Sequence, residues 1–342
     1  MTAPMTPVAQ TTDTPAEQAK RVNPAERVVR RVDRFQQRHP PTAFAFGVFK
    51  KFGDDRGSQL GGLIAFYGLL AFFPLTLVIV TVTGFLSHGN AHLAQQIRDS
   101  ALNQFPVVGP DLNNTVKPLP GSGFGLAVGL VGLVWGALGV TQTVQYAFAE
   151  VWHVPHKSRP SFFVRVFRGL ALFGLLGAGV VATVVLASLG ALIGHSLLAG
   201  AAGLVGAAAV AVAMTLAVFR MLSPRTLRLT DLLPGALVGG IGWQILESIG
   251  VHLVQHQARH ASQLYGTLGV VLGLISFLLI GSQLMLYAAE INAVRVDRLW
   301  PRSIVQPPLT EADRALLRSM ARQEERRPEE RVSVDFDGRG SS

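Results

Sequence analysis

Cysteine is missing from all 342 residues. Its absence excludes disulfide cross-links, zinc–thiolate centres and any cysteine nucleophile. Charge is scarce as well: Asp, Glu, Lys and Arg make up 15% of the chain, against about 25% in an ordinary soluble domain. The motifs of soluble enzymes are also missing. There is no Walker loop, no dinucleotide fingerprint behind a strand, no HExxH and no GxSxG. No cleavable signal peptide is visible, because the first apolar run follows a long polar leader. What the chain does have is 49% hydrophobic residues and 36 glycines, with a mean hydropathy of +0.37. Many of the glycines lie inside apolar runs, where they permit close helix–helix approach.

Residues 60–86 organise the rest. They read LGGLIAFYGLLAFFPLTLVIVTVTGFL, with no ionisable group but the phenol of Tyr67. As a helix this is about 40 Å of apolar rod, longer than the roughly 30 Å hydrocarbon core. A soluble core helix would carry a polar stripe, and none is present. Pro74 lies near the middle and frees the carbonyl four residues before it. In lipid that carbonyl needs a partner, so Pro74 is expected to face protein or water. Five more spans are predicted at residues 124–151, 166–198, 201–222, 232–254 and 264–294, the third and fourth joined by a tight turn at Ala199-Gly200. The expected fold is all-α, a polytopic membrane protein with six transmembrane helices.

The flanks divide the chain further. Residues 1–24 are rich in Thr, Pro, Ala and Gln and read as a disordered leader. Residues 25–58 form a basic interfacial segment. Within it Val28, Val29, Val32 and Phe35 share one helical face amid Arg27, Arg30, Arg31, Arg34 and Arg38, which suits an anionic leaflet. The six-helix domain covers residues 59–298. A cytoplasmic, largely disordered tail covers 299–342, with one helix expected at 309–326, Thr310 as its N-cap and Asp313 closing a capping box.

A net charge of +9 is compatible with nucleic acid, but the positions of the charges argue otherwise. Lys and Arg gather before span one, after spans two, four and six, and thin out after spans one, three and five. This alternation predicts both termini in the cytoplasm.

Ionisable groups inside spans are costly and often functional. Glu247 is the clearest, deep in span five. It is read either as part of a polar path or as a structural hydrogen bond, with His195 or His252 as candidate partners. Glu150 and Glu290 lie at the ends of spans two and six. Gln142, Gln145, Gln244, Gln283 and Asn292 add polar atoms to spans two, five and six, which are expected to share a polar interior. His252, His256 and His260 recur every fourth residue, and His88 and His92 repeat that spacing. They are weak metal candidates, because zinc sites add a fixed further ligand; a water-facing ladder is the simpler reading, and a pH-responsive patch is another. No metal site is expected.

Four stretches in order resemble the YihY/virulence factor BrkB family of bacterial inner-membrane proteins, including its YhjD-like branch. They are KFGDDRGSQLGGLIAFYGLLAFFPL, with Asp54 or Asp55, Ala65, Tyr67 and Pro74; TQTVQYAFAEVWHV; LTDLLPGALVGGIGWQ, with Pro234, Gly235 and Trp243; and YGTLGVVLGLISFLLIGSQLMLYAAEINA, with Tyr265, Gly266, Glu290 and Asn292. The departure is at Ser276-Phe277, where the family usually carries an aromatic, often Trp. The resemblance implies six spans in the cytoplasmic membrane. It also brings an old ribonuclease BN label, which short basic loops without a reachable acid–base or metal cluster argue against.

The expectation is therefore a non-enzymatic inner-membrane transporter or flippase of a lipid or other amphipathic envelope component. Glu150, Glu247, Glu290, Asn292, Gln142, Gln145, Tyr67 and Tyr265 would line its path. Pro74, Pro234, Gly235 and Gly266 would provide hinges or packing. The alternative is a non-transporting structural or interaction protein of the envelope. Membrane lipids are the expected partners, with envelope proteins or self-association as further ones, and neither nucleic acid nor a cofactor is expected.

Overall fold

The computed structural model describes residues 24–87, 123–193, 197–224, 226–257 and 262–336, and every regular element among them is helical. Two short helices come first, α1 (Pro24–Arg38) and α2 (Pro40–Asp54). The His39-Pro40-Pro41 step both ends α1 and begins α2, because prolines in a first helical turn lack only N–H groups that would go unpaired there.

Six long helices follow: α3 (Gly57–Ser87), α4 (Gly123–Val151), α5 (Phe162–Ile193), α6 (Leu197–Leu222), α7 (Leu229–Gln257) and α8 (Ser262–Val296). All six are long and apolar enough to cross a membrane. One expected boundary moves. Ala199 and Gly200, the expected turn between the third and fourth spans, lie inside α6. Ala and Gly continue an apolar helix without interrupting its hydropathy, and they permit close helix packing.

The long helices pack in a closed ring, α3–α4–α5–α6–α7–α8 and back to α3. Small residues set the approach. A Cβ on Gly136 of α4 would lie 2.7 Å from the Ala71 Cα of α3, so only glycine fits that crossing. Pro74 rests on α4 beside Gly132, facing protein as expected.

The main core lies at one end of the ring. Leu60 starts α3, Phe148 and Val151 end α4, Phe219 ends α6, Leu232 and Ala236 start α7, and Leu286, Ala289 and Ala293 end α8. The Phe148 and Phe219 rings meet across the ring at 5.4 Å. We refer to this as the basic end, since α1, α2, the 151–162 connection and the tail all gather there.

The tail differs from expectation. Helix α9 (Glu311–Gln323) carries the anticipated Thr310/Asp313 capping box, but it is docked rather than loose. Leu316 packs with Val48, Val294 and Leu299, joining α2, α8 and α9. The chain beyond Pro328, expected to be disordered, is held as far as Phe336. Val332 N donates to Glu325 Oε1 at 3.0 Å, and the Arg318 guanidinium lies over the Phe336 ring. Residues 1–23 and 337–342 lie outside the described residues.

Candidate functional site

Ala43, Gly47, Lys51 and Asp55 fall four residues apart, so α2 and its C-cap put one ammonium and one carboxylate on the face that packs against the ring. Lys51 is 1% exposed. Its Nζ donates to Asp55 Oδ2 at 2.6 Å, to Glu290 Oε2 at 2.8 Å and to the Val151 carbonyl at 2.7 Å. The last bond caps the C-terminus of α4, where the helix dipole favours a cation. His153 completes the cluster from just beyond α4. Its Nε2 meets Asp55 Oδ1 at 2.9 Å, and its Nδ1 meets Ser319 Oγ of α9 at 2.8 Å. One ion network therefore joins α2, α4, α8 and α9.

The protonation of this network follows from its contacts. Burial alone disfavours the Lys51 ammonium, yet the Glu290 and Asp55 carboxylates outweigh it and hold Lys51 above its ordinary value. Burial likewise pushes the Asp55 carboxyl up, but the His153 hydrogen bond and the Lys51 charge bring it below the usual carboxylate range. One oxygen, Glu290 Oε1, is buried with no hydrogen-bond partner in the structure.

Asn292 has a different task. Pro234 lies inside α7 and disturbs the ladder at its first turns. From α8, Asn292 Oδ1 accepts from Gly235 N at 2.8 Å and Asn292 Nδ2 donates to the Leu232 carbonyl at 3.0 Å. Arg295 Nη1 reaches the Thr230 carbonyl, which proline leaves without its usual donor, at 3.4 Å. Gly235 makes this possible, since a Cβ there would collide with the Ala288 carbonyl and the Asn292 amide. Span six thus supplies the partners that lipid cannot.

The other expected path residues are scattered. Glu150 pairs with Arg159 at 2.9 Å and accepts from Gln323 Nε2, as an interfacial carboxylate facing arginine. Gln145 Nε2 donates to the Arg165 carbonyl, and Gln142 is half-buried on α4. The Tyr67 ring lies against Gly139. Spans two and five do not flank one another in the ring, which proceeds α4–α5–α6–α7 on one side and α4–α3–α8–α7 on the other. Among the described residues, the hydrogen bonds of Gln145, Glu150 and Glu247 go to their own helix, the Arg159–Arg165 stretch or the tail, not between spans two and five. The backbones of Tyr265, Gly266, His252 and His256 belong to α8 and α7, but their side chains, and all of His260, His195, His88 and His92, lie outside the described residues. Among the described residues no three His, Cys, Asp or Glu side chains gather as a metal-ligand set.

Glu247 stands apart. Leu232, Ala236, Gly240, Trp243 and Glu247 recur at helical spacing on one face of α7. That face is wedged between α6 and α8: Gly240 abuts Val212, and the Trp243 ring meets Phe277 at 5.8 Å. Glu247 continues the inward stripe one turn on, about 22 Å along the helix from Leu232. Its carboxylate is half-buried. It accepts from Trp243 Nε1 at 2.7 Å and Gln244 Nε2 at 3.1 Å, both on its own helix.

Lys51, Asp55 and His153 were not singled out as site residues by sequence reasoning. The available signal was the i, i+4 charged pair on the apolar stripe of α2.

Comparison with known proteins agrees with this architecture. Residues 48–307 match the family described as Virulence factor BrkB. The chain is 26% identical over 175 residues to inner membrane protein YhjD of Escherichia coli (strain K12), covering 48% of this chain and 52% of that protein. The match thus spans about half the length of that relative. No solved structure matches the chain.

Proposed function

This chain is a membrane protein of the Virulence factor BrkB family, and from that premise we propose that it moves a lipid or another amphipathic envelope component across the bacterial cytoplasmic membrane. The movement involves no chemical conversion, cofactor or nucleic acid. The observation that carries this reading is Glu247. A carboxylate on the inward face of a span is costly unless it is used or sealed, and among the described residues this one is held by Trp243 and Gln244 of its own helix. The basic end is closed by the main core, so Glu247 lies on the side of the ring away from that plug. Pro74 and Pro234 both lie inside spans, where proline removes a ladder hydrogen bond and favours a local bend.

The basic end faces the cytoplasm in this reading, because the Lys- and Arg-rich connections gather there. With the absence of native cysteine, Ser333→Cys should be labelled by a membrane-impermeant maleimide only after cells are permeabilised.

The test of transport is a flux assay on purified protein in liposomes, with fluorescent anionic and zwitterionic lipids and with or without a pH gradient. Movement above protein-free vesicles, lost in Glu247→Gln, supports the reading. Equal movement in Glu247→Gln removes Glu247 from it. No movement under any gradient favours the second reading, a structural or interaction protein of the envelope. A specific observation speaks for that alternative: Asn292 and three polar contacts of Lys51 are sealed by bonds between elements.

A further inference from the structure

Helix α8 ends at Val296, where the sixth span leaves the membrane. The chain then turns sharply: Asp297 N donates to the Ala293 carbonyl and Leu299 N to the Val294 carbonyl, both at 3.0 Å. Such a turn puts one residue in the left-handed region, and glycine usually occupies it. Here the residue is Arg298, with φ of 52°. An L side chain is disfavoured in that conformation, so the turn itself gives no reason for arginine.

The surroundings give one. Leu299 is buried in the α2–α8–α9 cluster. Gly47 of α2 lets the chain approach closely, since a Cβ there would lie 3.1 Å from the Leu299 carbonyl and 3.2 Å from Trp300 Cβ. Trp300 in turn meets the Phe44 ring edge-on at 6.0 Å. Between these fixed points lies a cavity of about 380 Å³ lined by Phe44, Arg295, Arg298 and Trp300. That is within the size range of small-molecule sites, about 300–1,000 Å³. Arg298 is exposed and makes no hydrogen bond or ion pair among the described residues, and Arg295 makes only its long contact with the Thr230 carbonyl. None of the lining residues is a carboxylate.

We propose that this cavity binds the phosphate of an anionic amphiphile, a membrane-lipid headgroup, with Arg295 and Arg298 on the phosphate oxygens and Phe44 and Trp300 beside its less polar part. Guanidinium forks match phosphate oxygens in geometry and charge. An aromatic and arginine pair at a span terminus is also where a headgroup lies. The site stands whether or not the chain transports lipid.

The test uses full-length protein in detergent, titrated with phosphatidylglycerol, phosphatidylcholine or inorganic phosphate, with bound adducts read by native mass spectrometry and Tm measured alongside. Arg298→Gly is the decisive variant, since glycine suits the left-handed turn and Tm should hold or rise. The expected result is retention of phosphatidylglycerol over phosphatidylcholine, weakened about fivefold by Arg298→Gly and again by Arg295→Gln. Phosphatidylglycerol retention unchanged in both variants overturns the proposal. Displacement of phosphatidylglycerol by millimolar inorganic phosphate overturns the lipid assignment, leaving a site for free phosphate.

Discussion

The Lys51 ammonium lies 2.8 Å from Glu290 Oε2, fixing the segment that precedes the bundle to its sixth span. Both side chains are 1% exposed. A buried pair of this kind contributes little by itself, but removing one member strands the other. Lys51→Met leaves Asp55 and Glu290 facing each other without a cation. We expect a loss of about 3–5 kcal/mol, read as a fall in Tm in detergent. Adding Asp55→Asn and Glu290→Gln to Lys51→Met should restore much of it. A triple variant no more stable than Lys51→Met would show that the network is not the source of the loss.

The contact between Asn292 and the start of α7 makes a second prediction. Asn292→Leu removes both hydrogen bonds that α8 makes to Gly235 N and the Leu232 carbonyl, with an expected loss of about 1–3 kcal/mol. Gly235→Ala acts on the same contact sterically, forcing α7 and α8 apart at Ala288. Both variants should lower Tm, and combining them should cost less than the sum, because they disrupt one contact. Additive losses would place the two effects at separate sites.

The spans were legible because lipid imposes a simple rule: backbone groups must pair within the segment, so length and hydropathy alone mark it. Thr310 and Asp313 were legible for a similar reason, since a capping box is local. Lys51 was hidden because two of its three partners lie 100 and 239 residues away, and in sequence it looks like any lysine of a basic flank. The partners of the polar groups on spans two and five were not legible, because Glu150 pairs with Arg159 and Gln323 while Glu247 pairs along its own helix, which composition does not encode. Docking of the tail was missed because α9 has a thin apolar stripe, and ion pairs of Lys50 with Asp313 and of Arg302 with Asp54 help attach the tail to α2.

Asp313 gives the tail a pH dependence. Burial alone would raise its carboxyl, but hydrogen bonds from Arg302, Thr310 and Ser303 hold it well below the usual range. A carboxyl depressed in the folded state contributes stability that is complete above its unfolded value, about 3.9, and is lost as pH falls through the folded value. The docked tail should thus resist pepsin at pH 4 and become increasingly cleavable at lower pH. Asp313→Asn should expose Arg314 and Arg318 to trypsin already at neutral pH. Trypsin resistance equal to that of the unmodified chain would remove Asp313 as the anchor.

Helix α1 turns its polar side to the protein and its apolar side away. Asp33 is 8% and Gln36 7% exposed, and Asp33 Oδ1 accepts from Ile304 N at 3.0 Å. Val28, Val32 and Phe35 are 61%, 52% and 59% exposed. Burying such side chains is worth about 1.5–3 kcal/mol each, and the arginines beside them suit an anionic headgroup layer. We therefore expect the stripe to lie in the leaflet, with the Asp33 contact setting its rotation. An environment-sensitive fluorophore on Phe35→Cys, in a chain with no other cysteine, should be quenched by spin-labelled lipid and shielded from iodide in anionic nanodiscs. The same label on Arg31→Cys should show the weaker lipid quenching of a headgroup position. Iodide reaching both labels equally would mean that α1 lies in water, with its apolar stripe free for a protein partner.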